Sequence, residues 1–410
     1  MELSFGPAKP AELEQVAGLS ALCLQGASRE YFAARMLHDP GFTFAGNSVA
    51  RDGDRVVSNV HAYSYEMAFG ESRVKVAGIG DVATHPDYRG RGAAKKLMAT
   101  AHEAMRERGQ VLSTLFTSIQ PYYEPMGYRI WERQEVHLLE VEPPKVPASG
   151  IRVRPLDPEQ DVRSLTRMRA TYSAPFLGWE ARPEERWLKS AEWTPFYPRE
   201  DRNLSLVIED SRGERLAYIR AKVDRDLARA RVLEFACQPN TAAAIEGLGV
   251  VFAAACRERG ATTIEVPGPA RILVGVLSRY AGKVVPVANQ LFMMKVIDLR
   301  GFLKAMEPEL SRRAATAHVK QGAVALRVNG QLAVVGVHDF KAEAEPVLPD
   351  TSNLPRAELD LGRWIEVFMG AKLFSTQPFA SSSRLGEAEI NLLDALFPLR
   401  ESVYWEADSF

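Results

Sequence analysis

One stretch of about forty residues constrains the fold of this 410-residue chain more than any other. It reads VKVAGIGDVATHP, then DYRGRG, then AAKKLMATAHEAMRERG, then VLSTLFTS. The first run has strand character and stops at Pro86, and a turn holding two glycines and two arginines follows. A helical pattern then places Leu97, Ala101, Ala104 and Met105 on one face and ends at Gly109, a residue suited to a helix C-terminus. VLSTLFTS has the apolar pattern of a short buried strand. Strand, basic turn, helix and strand form a βαβ unit, which requires a sheet with a helix packed on its face. Upstream, NSVARDGDRVVSNVHAYSYEMAF supplies two β-rich runs around Asp52-Gly53, where glycine tolerates the backbone of a tight hairpin.

The turn between strand and helix is also where chemistry is expected. The first N–H groups of a helix have no partner within it and carry partial positive charge, so a turn placed there can wrap a pyrophosphate. Gly90 and Gly92 let the backbone approach phosphate closely, and small Ala93 and Ala94 keep the first helical turn open. Arg89, Arg91 and Lys95 add positive charge. That charge is local: Lys+Arg (51) and Asp+Glu (52) nearly cancel over the chain. No overall field draws it to nucleic acid or to an anionic membrane.

The middle of the chain repeats this layout. A hairpin around IEDSRGERLAYIRAKV is followed by a strand LEFACQP, a helix TAAAIEGLGVVFAAACRERG and a strand TTIEVPG. Both helices end in Arg-Glu-Arg-Gly, and VEPPKVPASG between the copies suits a linker. The last third changes character. Asn329-Gly330 marks a hairpin in GAVALRVNGQLAVVGVHDF, two helical patterns follow in AELDLGRWIEVFMGAK and GEAEINLLDALF, and the tail PLRESVYWEADSF is rich in aromatics. The expected architecture is α/β followed by α+β, with units at 1–145, 146–295 and 296–410.

Cys23, Cys237 and Cys256 are odd in number and far apart, which implies buried free thiols, and the seven histidines show no ligand spacing, so no metal site is expected. MELSFGPAKPAELEQ lacks a basic start and an apolar core, and no stretch reaches the ~20 apolar residues that cross a bilayer; a cytoplasmic protein without membrane association is expected.

The run from Val82 to Lys95 resembles the coenzyme A loop of GNAT acetyltransferases, whose pattern Arg/Gln-x-x-Gly-x-Gly/Ala is met by Arg89, Gly92 and Ala94. Val82-Ala83-Thr84 resembles the strand whose backbone in that family pairs with pantetheine and polarises the thioester carbonyl. The resemblance implies acetyl-CoA as co-substrate, no metal, and Ser118 as a further cofactor contact. Downstream, Tyr122-Tyr123-Glu124-Pro125-Met126-Gly127-Tyr128 resembles the GNAT segment Tyr-x-x-Phe/Met-Gly-Tyr/Phe, which implies Tyr123 as general acid. Register with Gly127 favours it over Tyr122. A phenol of pKa near ~10 matches a departing thiolate whose acid lies near ~8.5 to 10.

At full length the chain resembles the enhanced intracellular survival (Eis) acetyltransferases: two tandem GNAT domains and a C-terminal domain similar to sterol carrier protein (SCP2-like). The resemblance implies that the second GNAT domain has lost its cofactor loop, and LEFACQPNTAAA indeed lacks an Arg-Gly-x-Gly turn. It also implies that the α-carboxylate of Phe410 enters the first domain as general base. Val403, Tyr404, Trp405 and Phe410 supply apolar surface with which such a tail could dock. Some relatives carry an acidic residue just before the terminal Phe, where this chain has Ser409 preceded by Asp408. Acceptors implied are primary amines of aminoglycoside, polyamine or lysine type, in a pocket built from loops such as AFGESRVK and the N-terminal helices. A homo-oligomer, hexameric in that family, is implied as well. The competing reading is a CoA-sensing protein whose last domain holds a lipid or sterol. The loop and Tyr123 in one domain, and the terminal Phe, weigh against it.

Overall fold

The computed structural model describes residues 3–24, 26–144, 152–192, 203–345, 354–378, 383 and 385–408. The first third holds strands β1 (Ser4–Pro7), β2 (Asn47–Asp52), β3 (Arg55–Phe69), β4 (Ser72–Thr84), β5 (Leu112–Phe116), β6 (Arg129–Ile130) and β7 (Arg133–Val141). Helices α1 (Leu13–Cys23), α2 (Arg29–His38), α3 (Ala93–Glu107) and the short α4 (Gln120–Tyr123) accompany them. The middle holds β8 (Arg152–Pro155), β9 (Leu177–Glu180), β10 (Asn203–Glu209), β11 (Arg215–Asp224), β12 (Arg229–Cys237), β13 (Thr263–Pro267), β14 (Ala281–Asn289) and β15 (Phe292–Val296). Its helices are α5 (Pro158–Ser173), α6 (Glu184–Lys189), α7 (Ala242–Glu258) and α8 (Arg271–Leu277). The last third holds α9 (Leu299–Thr316), β16 (Gln321–Val328), β17 (Gln331–His338), β18 (Lys341–Ala344), β19 (Arg356–Glu358), α10 (Leu361–Phe368) and α11 (Glu387–Leu396).

The first sheet runs β1-β2-β3-β4-β5-β15-β6 and the second β8-β10-β11-β12-β13-β7-β14, with β9 attached to the far end of β3. The two orders correspond position by position. In each, four antiparallel strands lead to one parallel pair, β4 with β5 and β12 with β13. The strand after that pair is exchanged: β15, from residues 292–296, lies beside β5, and β7, from residues 133–141, lies beside β13. The expected division near residue 145 therefore does not coincide with a change of sheet.

The expected hairpins form, with Gly53 (φ 59°) and Gly213 (φ 78°) in the left-handed region that a tight turn requires. On α3, Leu97, Ala101 and Met105 are buried, as their spacing predicts. Three expectations shift. AELDLGRWIEVF does not begin as helix: Arg356–Glu358 pairs in parallel with β16, and Asp360 then caps α10 by accepting from Arg363 N–H. Cys237 and Cys256 are buried, but Cys23, the last residue of α1, is half-exposed and donates to Thr84 O at 3.3 Å. AFGESRVK forms a tight β3–β4 turn against α9, where Glu71 N–H donates to Glu309 Oε2 at 3.2 Å. A Cβ on Gly70 would fall 2.2 Å from that carboxylate, so glycine there permits close approach of the two segments. Among the described residues no helix is long and apolar enough to cross a membrane, and no group of three His, Cys, Asp or Glu residues could hold a metal ion.

Candidate active site

The site is created by strands that part. β4 pairs with β3 as far as Thr84, but it pairs with β5 only over Val76–Ile79 against Leu112–Leu115. Beyond Ile79 the two strands diverge and leave a fork, at whose mouth β4 carries Val82, Ala83 and Thr84. A bulge in the β3–β4 ladder lies at the fork, between Asn59 and His61, and Asp81 adopts φ +49°. A left-handed residue inside a strand re-aims its neighbours, and asparagine and aspartate tolerate it best among residues with a Cβ. Ala83 is buried against α1 and α2, and Val82 packs in the cluster on the α3 face. Ser58 Oγ holds the strand end, donating to Ala83 O at 3.0 Å and lying 2.8 Å from Thr84 Oγ1.

The basic turn stands where the fork opens. Tyr88 anchors it, with a buried ring and a hydroxyl that donates to Asp52 Oδ2 at 2.6 Å. Arg89 Nε donates to Thr84 O at 3.2 Å, and the Arg91 guanidinium lies 5.2 Å from the Tyr88 ring centre. Gly90 and Gly92 both have φ 75°, and a Cβ at either would meet nothing within 4 Å. Glycine is needed there for its backbone conformation, and the space around it stays open. Gly92 is the N-cap of α3 and offers no side chain to the first helical N–H groups. A 15-residue helix thus presents an uncapped N-terminus beside exposed Arg89, Arg91 and Lys95, while Ala93 is buried and Ala94 half-buried. This fits the phosphates of a coenzyme A moiety. Lys96 is used otherwise, its ammonium 4.0 Å from the centre of the Phe5 ring.

On the β5 side of the fork, exposed Ser118 leads into α4, which ends at Tyr123. Tyr123 is 7% exposed, whereas Tyr122 is 42% exposed, so only Tyr123 is enclosed. Tyr123 belongs to the same apolar cluster as Ile79, Met98 and Leu115, which places it in the fork. Its hydroxyl has no hydrogen-bond partner among the described residues. Burial, aided by Tyr122, pushes its phenol up to about 12, above the value near ~10 that sequence alone suggests.

Sequence reasoning missed the support of this turn. Lys295, on exchanged strand β15, donates from Nζ to Met126 O at 2.7 Å and lies 3.0 Å from His102 Nδ1. His102 Nε2 is 3.1 Å from Tyr128 Oη, which is 2.6 Å from Ser113 Oγ. Burial, reinforced by Lys295 and Arg106, lowers His102 to about 3, and burial with Arg106 lowers Lys295 to about 8. Tyr128 meets Tyr123 edge-on, with ring centres 6.2 Å apart. The Tyr-x-x-x-Gly-Tyr spacing points to Tyr128, but nothing in the sequence connects residue 295 with it.

Phe410 lies outside the described residues. The tail before it is docked: Leu177 N–H donates to Glu401 O and Val403 N–H to Leu177 O, at 2.9 and 2.8 Å. Tyr404 lies 4.3 Å from the Phe292 ring centre, and Arg133 Nη1 donates to Tyr404 O at 2.9 Å. Trp405 is fully buried and donates to Ser173 Oγ at 3.2 Å. Val403 and Trp405 pack with Phe235 and Cys237 of β12, beyond the point where β12 ceases to pair with β13.

Residues 4–131 match the family described as acetyltransferase (GNAT) domain. An uncharacterized N-acetyltransferase of Streptomyces griseus is 26% identical over 215 residues, 47% of this chain and 50% of that protein. The match spans about half the length of this curated relative. Among solved structures, a GCN5-related N-acetyltransferase from Kribbella flavida has TM-score 0.71 at 18% identity, covering 100% of this chain and 98% of its own. Eis1 from Mycobacterium abscessus has TM-score 0.64 at 15% identity, covering 98% and 99%. The chain has the GNAT acyl-CoA N-acyltransferase fold, and its residues 4–131 match the acetyltransferase (GNAT) domain family, whose domains use acyl-CoA.

Proposed function

With a GNAT domain at residues 4–131 as its premise, we propose that this protein transfers the acetyl group of acetyl-CoA to a primary amine. One observation carries the reading: the β4–β5 fork brings the uncapped N-terminus of α3, the backbone of Val82–Thr84 and the buried Tyr123 around a single opening. Acetyl-CoA supplies an activated acyl group as a thioester. Arg89, Gly90, Arg91, Gly92, Ala93, Ala94 and Lys95 bind its phosphates, and Ser118 adds a contact from the β5 side. Backbone N–H groups near Val82–Thr84 stabilise the negative charge that develops on the carbonyl oxygen during attack by the amine nitrogen. Tyr123 donates to the departing sulfur.

The α-carboxylate of Phe410 takes the ammonium proton in this reading, and the docked course of residues 401–406 supports a defined path for the tail. Tandem GNAT units at 1–145 and 146–295, followed by an SCP2-like unit at 296–410, belong to this reading; the matching strand orders of the first two sheets support the tandem, with β7 and β15 each exchanged into the other sheet. The second unit binds no cofactor: its β12–α7 junction has no Arg-Gly turn, and the tail packs at its fork. Resemblance to Eis favours aminoglycoside, polyamine or lysine-type acceptors and a homo-oligomer, hexameric as in that family.

The test is thiol release from acetyl-CoA with a panel of primary amines, each product confirmed by a mass increase of one acetyl group. Release that depends on the amine supports the proposal. Stable binding of acetyl-CoA without transfer to any amine refutes it.

A further inference from the structure

A carboxylate lies on the face of the sheet opposite Tyr123, next to the fork-lining strand end. Asp81 immediately precedes Val82 on β4 and carries the left-handed backbone of the bulge. Its Oδ2 accepts from Tyr63 Oη at 2.8 Å and lies 2.9 Å from His61 Nδ1. Its main-chain oxygen accepts from Asn59 Nδ2 at 2.6 Å. These partners stand on the α1–α2 face of the sheet: Asn59 Nδ2 reaches Ser20 of α1 at 3.4 Å, and the Arg35 guanidinium of α2 lies 4.5 Å from the Tyr63 ring centre. Val82 and Tyr123 pack instead on the α3 face. Ile79 and Asp81, two residues apart, would share a face in a regular strand; the bulge instead turns Asp81 to the α1–α2 face while Ile79 and Val82 keep the α3 face.

Two features of this carboxylate exceed a packing role. Oδ2 takes both contacts, while Oδ1 has no hydrogen bond among the described residues, and the side chain keeps 9% of its surface accessible. Burial alone would raise its pKa, yet His61, Arg35 and Tyr63 together hold it down to about 2. The group stays ionised, with one oxygen uncommitted, beside the residues that take the thioester in the reading above. The neighbouring cation Arg35 is itself paired, 3.5 Å from Asp39. His61 Nε2 is buried with no partner in the same cluster.

We infer that Asp81 Oδ1 receives the ammonium group of the acceptor, so that the site selects amines that are cationic before transfer. This rests on the proposed acetyl transfer and names the residue that selects its acceptor. The amine enters on the α1–α2 face, pairs with Asp81, loses its proton and attacks the carbonyl, while the thiolate departs toward Tyr123 on the other face. Asp81 is a specificity-determining residue here, and the proton acceptor remains a separate group.

Asp81→Asn tests the inference, because asparagine can still accept from Tyr63 and His61 through its oxygen while the charge is lost. Two acceptors of similar shape are compared at pH 7.5: benzylamine, cationic at that pH, and aniline, neutral at that pH. The variant should raise KM for benzylamine by ~10- to 100-fold, the range for a hydrogen bond to a charged group. KM for acetyl-CoA and for aniline should stay within about threefold, a split that damage to packing would not produce. A wild-type measurement covers the case in which the variant does not fold: benzylguanidine should inhibit competitively against benzylamine, and neutral benzylurea at least ~10-fold more weakly. Equal changes in KM for both amines, or equal inhibition by the guanidine and the urea, would overturn the inference. Failure of the wild-type enzyme to acetylate any amine would instead refute the acetyl transfer itself.

Discussion

Replacing Tyr123 by phenylalanine removes one oxygen from a buried ring and leaves its contacts with Tyr122 and Tyr128 in place. The shift from 10.0 to about 12 corresponds to ~3 kcal/mol against forming the phenolate. Full transfer of the proton to a thiolate of pKa ~8.5 to 10 is therefore uphill, and in the proposed reaction Tyr123 acts by donating a hydrogen bond that strengthens as charge collects on sulfur. Loss of that donor should lower kcat by ~10²- to 10⁴-fold, or ~2.7 to 5.5 kcal/mol of barrier. KM for acetyl-CoA should move by less than about twofold, because the ring remains and the phosphate contacts are remote. Tyr122→Phe should retain more than half of kcat. The sign of the pH effect follows from the same burial: the neutral phenol is the favoured form, so Tyr123 remains a donor until pH approaches about 12. Steady-state rates of thiol release between pH 6 and 10 should then show no alkaline limb belonging to this residue. A Tyr123→Phe enzyme within threefold of wild type, or a Tyr122→Phe enzyme with the larger loss, would refute the assignment.

Arg89→Ala combined with Arg91→Ala should raise KM for acetyl-CoA with little change in kcat, since phosphate contacts far from the thioester stabilise ground and transition states alike; initial rates at varied acetyl-CoA check this. A protein extended beyond Phe410 should bind acetyl-CoA normally by calorimetry yet acetylate poorly, and proteolytic return to a free Phe410 should restore activity. Lys295→Met should leave the fold intact by circular dichroism but reduce kcat by ~10-fold or more, because the hydrogen bond to Met126 O that holds the Tyr123 turn is lost. Burial opposes the ionisation of Glu309, but hydrogen bonds from Arg312 and Arg313 hold it to about 2, below its ordinary 4.5. Its stabilising contribution is present above pH 4.5 and is lost as pH falls toward 2, so Glu309→Gln should flatten that part of the acid-unfolding curve followed by fluorescence.

The parts of the fold that could be read from sequence are those whose signals are local. Gly53 and Asn329-Gly330 announce hairpins because a two-residue turn needs residues that tolerate positive φ; the first turn falls on Gly53-Asp54, one residue later than the Asp52-Gly53 pair suggests, because Asp52 pairs with Arg55 at the end of β2. The α3 face was legible because Leu97, Ala101 and Met105 recur at helical spacing, and the open basic turn before it because its glycines and arginines are contiguous. Tyr123 was separable from Tyr122 by its distance from Gly127, and burial now distinguishes them as well. The value of its pKa was not legible, since burial depends on Met98, Leu115 and Tyr128 closing around the ring. Asp81 was passed over because a lone aspartate within a strand carries no pattern, and only the bulge opposite His61 gives it a direction.

Strand exchange escaped detection for a different reason, and it bears on how the site is held. Arg133–Val141 and Phe292–Val296 are both ordinary β-rich segments, and either would complete the sheet nearest to it in sequence. Local composition cannot choose between neighbours that offer the same ladder of backbone groups. The chain places them crosswise, so that Met293 and Met294 pair with Leu115 and Thr114 of β5, while Leu138 and Val136 pair with Ile264 and Val266 of β13. Each sheet is thereby completed by the other half of the chain. β5 forms one arm of the fork, and its outer edge is covered by β15, which also carries Lys295 to the Tyr123 turn. The tail follows the same seam, with Tyr404 against Phe292 and Arg133 against the Tyr404 carbonyl. The basic turn before α3 and the Tyr123 turn are encoded within the 128 residues of the matched domain, but the geometry of the fork is set by segments that begin more than a hundred residues later.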